Sequence, residues 1–332
     1  MKRIDVHVHF LAKKYLDEFL TVSPHYSWGK DPVGTDVLLM NGGTVMQVLD
    51  TMWDPEPRLR EMAARCPDIV QAVCTSTPHV YLEDEEATVR LSRVDNDEID
   101  KLRKTYPDHF YGFGVVPLPH TARAVEEMER VLLEKKMNGV VLGTNVLGRY
   151  LDDPSFLPFF KRADELGACI FLHPQPGAGM EQMADYGRIV PILSFVFDTT
   201  LAVLRMTLSG LFDKCPNIKF ILPHLGGALP YLFGRVDSGY EMYPEFRLNI
   251  KVPPSEILKH MYYDIITYNS RTIQYAADLI GADHLLFGSD YPHTIGKVEN
   301  VIAALDGAGF TEAELRKINY ENAQKVLNNI TG

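Results

Sequence analysis

The chain has 332 residues, 46% of them apolar, a size that fits two ordinary domains or one large α/β barrel with insertions. Its 33 Lys and Arg stand against 44 Asp and Glu; the net charge of -11 argues against nucleic acid as a partner and repels anions at long range, so a carboxylate substrate needs a local arginine. Cys66, Cys74, Cys169 and Cys215 form no C-x-x-C pair and read as small buried side chains in a reducing compartment. With no leader read ahead of the first strand, and apolar runs such as 192–196 far short of a span, the expectation is a cytoplasmic protein without a membrane partner.

The first predicted element is a strand. Residues 3–10 read Arg-Ile-Asp-Val-His-Val-His-Phe, with Ile4, Val6 and Val8 on one face and Asp5, His7 and His9 on the other. Side chains two apart on a strand stand roughly 6–7 Å apart, so His7 and His9 can lean onto one metal ion. Further strands are expected at 69–75, 111–117, 139–142, 169–172, 219–222, 262–266 and 285–287, eight in all. Helical patterns at 58–65, 84–105, 121–136, 155–166, 200–212, 255–260 and 271–280 separate most of them, and 312–328 follows the last. This alternation predicts a parallel sheet, and eight repeats favour a closed (β/α)8 TIM barrel, a single α/β domain over 1–332. No G-x-G-x-x-G follows the first strand, which argues against a dinucleotide fold. Residues 22–50 exceed a minimal barrel and read as a small hairpin insertion after strand one. Residues 174–198, with Gly177, Gly179, Tyr186 and Phe195, read as a long loop after strand five of the kind that builds active sites.

In such a barrel, chemistry gathers at the C-terminal strand ends. Strand one ends in His7 and His9, strand five in His173, strand six in His224 and strand eight in Asp290. One histidine after a strand is usually structural; five such side chains at strand ends predict one metal-dependent site. His25, His109, His260 and His284 fall away from these ends, whereas His79 and His120 are placed to rim the pocket.

The D-x-H-x-H of strand one, the histidines after strands five and six, and Gly-Ser-Asp-Tyr-Pro at 288–292 resemble the amidohydrolase superfamily. Met-Trp-Asp-Pro (52–55), Leu-Ser-Gly (208–210), His-Leu-Gly-Gly (224–227), Gly-Arg-Val-Asp (234–237) and Pro-Pro-Ser-Glu (253–256) are similar to aminocarboxymuconate semialdehyde decarboxylase and its metal-dependent relatives. The resemblance runs along nearly the whole chain. It implies that His7, His9, His173 and Asp290 are metal ligands, and a set of three imidazoles and a carboxylate suits one Zn²⁺, or Mn²⁺ if more oxygen ligands join. It implies that His224 and Asp290 are catalytic, and that Arg235 enters the partner subunit's pocket of a homodimer to grip a substrate carboxylate. The plainer reading of Arg235 is a surface ion pair with Asp237 or Glu241. Trp53 and His293 are candidates for substrate contact. Strand four (Gly139-Val-Val-Leu-Gly-Thr-Asn145) offers no lysine or acid to bridge two metals, so the site is expected to be mononuclear. Met46 stands where the resembling enzyme has a second substrate arginine, which implies a less acidic substrate. The activity implied is nonoxidative decarboxylation of a small aromatic or muconate-type acid, with metal-dependent hydrolysis of a lactone or amide as the alternative at the same ligand set.

Overall fold

The computed structural model describes residues 1–31, 33–177, 179–180, 182–183 and 188–330; Tyr186, named above, lies outside them. The alternating stretch forms strand β1 (Arg3–His9), buried over nearly its whole length. It is followed in the barrel by β2 (Ile69–Cys74), β3 (Phe110–Val115), β4 (Gly139–Gly143), β5 (Cys169–His173), β6 (Lys219–Leu222), β7 (Tyr262–Asp264) and β8 (Leu285–Leu286). All eight expected strands are present, in one sheet and in chain order, each parallel to its neighbour. β2 and β4 are buried at every residue, as expected where helices cover one face and packed side chains the other.

The barrel is nearly closed. β8 is only two residues long, so single hydrogen bonds from the irregular chain beyond it make the seam with β1. Val6 N–H donates to Phe287 O (3.0 Å), Asp290 N–H to His7 O (2.8 Å) and His9 N–H to Tyr291 O (2.8 Å). Asp5 reinforces the seam beneath the histidines, its buried carboxylate accepting from Ser289 Oγ (2.5 Å) and Ser289 N (3.0 Å). β7 stops at Asp264 rather than running to 266, because the Asp264 carboxylate takes the amides of Ile266 (3.0 Å) and Leu225 (3.2 Å) and turns the chain.

The insertion is a three-stranded antiparallel sheet (Tyr26–Lys30, Asp36–Met40, Gly43–Gln47), one strand more than the two β-like runs suggested. The overlooked strand, Tyr-Ser-Trp-Gly-Lys, is half-exposed and contains Gly29, where the side chain of Leu39 fills the space a Cβ would need. The sheet reaches the barrel mouth, where Thr294 Oγ1 donates to Gln47 Oε1 (2.7 Å). Helices Lys13–Val22 and Val298–Asp306 also went unread, and helix Leu229–Met242 begins before Arg235, where the sequence reads as a helix start. Helix Leu229–Met242 carries Gly234 and Gly239 in its interior, poor helix formers that packing overrides, while Pro230 stands in its first turn, where proline is tolerated.

The long loop after β5 leads through a π turn (Val190–Ser194) into helix Phe195–Leu208, which begins before the expected residue 200. By length and composition the stretch Val190–Leu208 is apolar enough to cross a membrane, unlike the short run 192–196 read from the sequence. Its buried Asp198 is held inside the fold, accepting from Thr144 Oγ1, Asn145 Nδ2 (3.1 Å) and Tyr150 Oη (2.8 Å). These bonds fasten the loop to the end of β4.

Arg58, on helix Pro55–Arg65, is wholly buried under the first strand end. It donates to Gln71 Oε1 (2.8 Å), His9 O (2.7 Å) and Thr51 O (3.0 Å), and its guanidinium faces the Tyr291 ring at 5.0 Å. Burial pulls its pKa down to about 10, so it stays charged at neutral pH. Replacing it strands three buried acceptors, each costing about 1–3 kcal/mol. Arg58→Met is expected to destabilise the fold by about 3–5 kcal/mol, read as a lowered urea midpoint at unchanged slope.

Candidate active site

The alternation of β1 points His7 and His9 into the mouth, with ring centroids 5.0 Å apart and ring planes near perpendicular. His173, the last residue of β5, brings its ring to 5.6 Å from His7 and 4.7 Å from His9. Ligand-type atoms of His7, His9 and His173 lie within 4.8 Å of one another, as do those of His7, His224 and Asp290, and of His9, Asp290 and His293. Asp290 links the groups. Its Oδ1 is 3.1 Å from His9 Nε2 and 3.6 Å from His7 Nε2, and its Oδ2 is 3.9 Å from His224 Nε2.

Backbone conformation sets these positions. His224 and Asp290 follow their strands with φ of 52° and 65°, a region uncommon for side-chain-bearing residues. Beyond Asp290 the chain doubles back so tightly that a Cβ at Gly296 would overlap the Asp290 carbonyl. This turn carries His293, whose ring lies 4.8 Å from that of His9.

The donors suit a divalent metal. His7 Nδ1 lies 2.7 Å from Asp264 Oδ2, which fixes the tautomer with Nδ1–H donating and leaves the Nε2 lone pair facing the mouth. His7 Nε2, His173 Nδ1 and His224 Nδ1 are buried without a protein partner among the described residues. Burial holds the His9 imidazole down to about 3 and His173 well below its usual value, so both are neutral, as ligands must be. Burial opposes the charge on Asp290, yet the imidazoles of His224 and His9 outweigh it and keep the carboxyl ionised far below its ordinary range. For His224, burial pulls the pKa down, but Asp290 and then Asp264 carry it net upward. This is a His/Asp metal site.

The structure thus brings His7, His9, His173, His224, Asp290 and His293 together. Phe195 stands at the edge, its ring 6.5 Å from His173. Trp53 packs half-buried against the core with no ring contact to the histidines, and Met46 pairs with Leu38 in the inserted sheet. Arg235 lies exposed on helix Leu229–Met242. Of the rim candidates, His79 is buried against the Tyr81 ring at 4.0 Å, and His120 is placed against Leu82 O at 3.2 Å. Asp264 was overlooked because the seventh strand was expected to run to 266, which placed in mid-strand a carboxylate that ends it. Cys74 was read only as a small buried side chain, yet its sulfur lies 3.5 Å from His9 Nδ1.

Asp264→Asn isolates the orienting bond. The amide oxygen still serves Leu225 and Ile266, but its NH₂ group faces His7 Nδ1 and opposes the ligand tautomer. Metal affinity, measured by competition with a chelator, is expected to fall about 10–100-fold while the protein stays folded.

Similar proteins of named activity include two decarboxylases. The chain is 27% identical over 304 residues to 2-amino-3-carboxymuconate-6-semialdehyde decarboxylase of Dictyostelium discoideum, an alignment covering 89% of this chain and 83% of that one. It is 27% identical over 268 residues to gamma-resorcylate decarboxylase of Rhizobium sp. (strain MTP-10005), covering 74% and 78%. The apo crystal structure of Metarhizium anisopliae IDCase superposes with a TM-score of 0.88 at 24% identity over 98% of this chain and 96% of that one, a match of fold. The amidohydrolase family model matches residues 4–328, so this chain belongs to the amidohydrolase family.

Proposed function

We propose that this protein is a metal-dependent nonoxidative carboxy-lyase acting on a small aromatic or muconate-type carboxylic acid. The observation that carries the reading is the complete His/Asp cluster with a His224–Asp290 pair at its edge. Its similarity to decarboxylases along most of the chain supports the choice of reaction.

Loss of CO₂ breaks a carbon–carbon bond and leaves its electron pair on carbon, where a proton must be delivered. A bound divalent ion supplies Lewis acidity to the substrate's carboxylate and a neighbouring oxygen. His7, His9, His173 and Asp290 would hold that ion. Their three nitrogens and one oxygen favour Zn²⁺, with Mn²⁺ the second choice should further oxygens join. At the end of β4, Thr144 and Asn145 are committed to Asp198, so that position supplies no bridging acid, in keeping with one ion per chain. His224, whose pKa Asp290 helps to hold up, can pair with the substrate anion; the His224–Asp290 pair handles the proton passed to carbon.

Arg58 is buried under the strand end, its Nε and Nη1 taken by Gln71, His9 and Thr51, which leaves anion binding in want of another cation. Arg235 makes no hydrogen bond or ion pair among the described residues, and Asp237, its suggested surface partner, accepts instead from Ser255 N (3.0 Å) and Oγ (2.6 Å). Arg235 shares a helix face with Tyr231 and Met242, which are 80% and 71% exposed, apolar surface suited to a second copy. Our reading is a homodimer in which Arg235 enters the partner's site.

Purified protein is expected to hold one divalent ion per chain by elemental analysis, and His7→Ala to lose both metal and turnover. Metal-loaded protein should release CO₂ from at least one acid in a panel of hydroxybenzoates and muconates. Hydrolysis of lactones or amides with no decarboxylation across that panel reverses the assignment. Arg235→Ala is expected to keep its metal and weaken substrate binding by about 2–5 kcal/mol. Mixed with His224→Ala subunits it should regain activity through one complete site per heterodimer; no recovery despite proven subunit exchange removes Arg235 from the partner's pocket.

A further inference from the structure

Three consecutive strand ends share an unusual backbone. β6 is followed by His224 at φ 52° and β8 by Asp290 at φ 65°; between them, the short loop after β7 carries Tyr268 at φ 54°. A bulky side chain in this region costs roughly 1–2 kcal/mol, and such strain gathers where function demands a position. His224 and Asp290 already belong to the cluster. Leu225, beside His224, shares this geometry at φ 56°, and Tyr268 is the fourth residue so placed.

The Tyr268 ring packs against the core, while its hydroxyl is buried with no hydrogen-bond partner among the described residues. A buried hydroxyl without a partner costs about 1–3 kcal/mol, whereas phenylalanine would pack the same ring at no such cost. The oxygen therefore adds nothing to the fold. It lies within electrostatic reach of Asp290, Asp264 and Asp5, and burial together with these charges keeps the phenol protonated. The nearby carboxylates have other partners. Asp264 serves His7, Leu225 and Ile266; Asp5 serves Ser289 and the His7 amide; Asp290 faces His9 and His224. The hydroxyl is a donor with no acceptor of its own, on a strand-end loop beside the metal site.

We infer that Tyr268 is a substrate-binding residue whose hydroxyl donates a hydrogen bond to an oxygen of the bound substrate's acid group. The substrate class rests on the decarboxylase reading above; the donor role rests on the placement of Tyr268.

The test compares wild type with Tyr268→Phe, both zinc-loaded, by calorimetric titration with 2-hydroxybenzoate, alongside metal content, melting temperature and CO₂ release from the acid panel. The expected result is binding weakened about 10–100-fold, as for loss of a hydrogen bond to a charged group, with metal content unchanged and melting temperature equal or higher. Equal affinities overturn the inference, and so does weaker binding accompanied by metal loss or a lowered melting temperature, the mark of a structural role. If the variant binds more weakly but wild type releases no CO₂ from any acid, the donor role stands and the decarboxylase reading fails. If wild type binds neither 2-hydroxybenzoate nor any acid of the panel, both fall.

Discussion

The seam between β1 and the chain beyond β8 is the constraint on which the site depends. His7 and His9 lie on one side of it and Asp290 on the other, and the hydrogen bonds that close the barrel use the backbone of these same residues. Closing the barrel and assembling the ligands are therefore one event. Asp5 beneath the seam and Arg58 behind it are buried polar groups whose partners are the seam itself. Burial works against the ionised form of Asp5 and raises its pKa to about 8, a cost set against the hydrogen bonds from Ser289 that hold the two strand ends in place.

The electrostatics follow from depth. The His9 and His173 imidazoles, packed centroid to centroid at 4.7 Å away from water, are kept neutral by burial. A carboxylate in the same place survives as an anion because histidines surround it. His224, at the edge and beside Asp290, is the one imidazole here whose pKa is driven upward. The residue type is the same throughout; position relative to one carboxylate separates these histidines.

Much of this was legible in the sequence, because the physics at work was local. Period-two alternation placed His7 and His9 on one face, and the strand-end rule found His173, His224 and Asp290 with no knowledge of their contacts. What escaped depends on tertiary context. Arg58 sits in a charged helix whose sequence looks like a surface, and its burial is apparent only when the carbonyl of His9 is seen above it. Asp264 follows two tyrosines in a segment that reads as continuous strand, although its carboxylate ends that strand. Helix Leu229–Met242 is rich in residues that disfavour helices and is held by packing. The role of Tyr268 needs its backbone angle and its unpartnered oxygen, neither of which composition reveals.

The inserted sheet has a consequence of its own. Gln47 on its last strand accepts from Thr294, which follows His293 on the β8 loop, while its amide donates to Asp31 at 2.9 Å. Asp31 in turn lies 3.9 Å from Arg188, at the far side of the long loop after β5. Three segments remote in sequence are thus joined by neutral and charged side-chain contacts. Thr294 follows His293 in the tight turn beyond Asp290, so the inserted sheet is tied through one hydrogen bond to the backbone that positions the site.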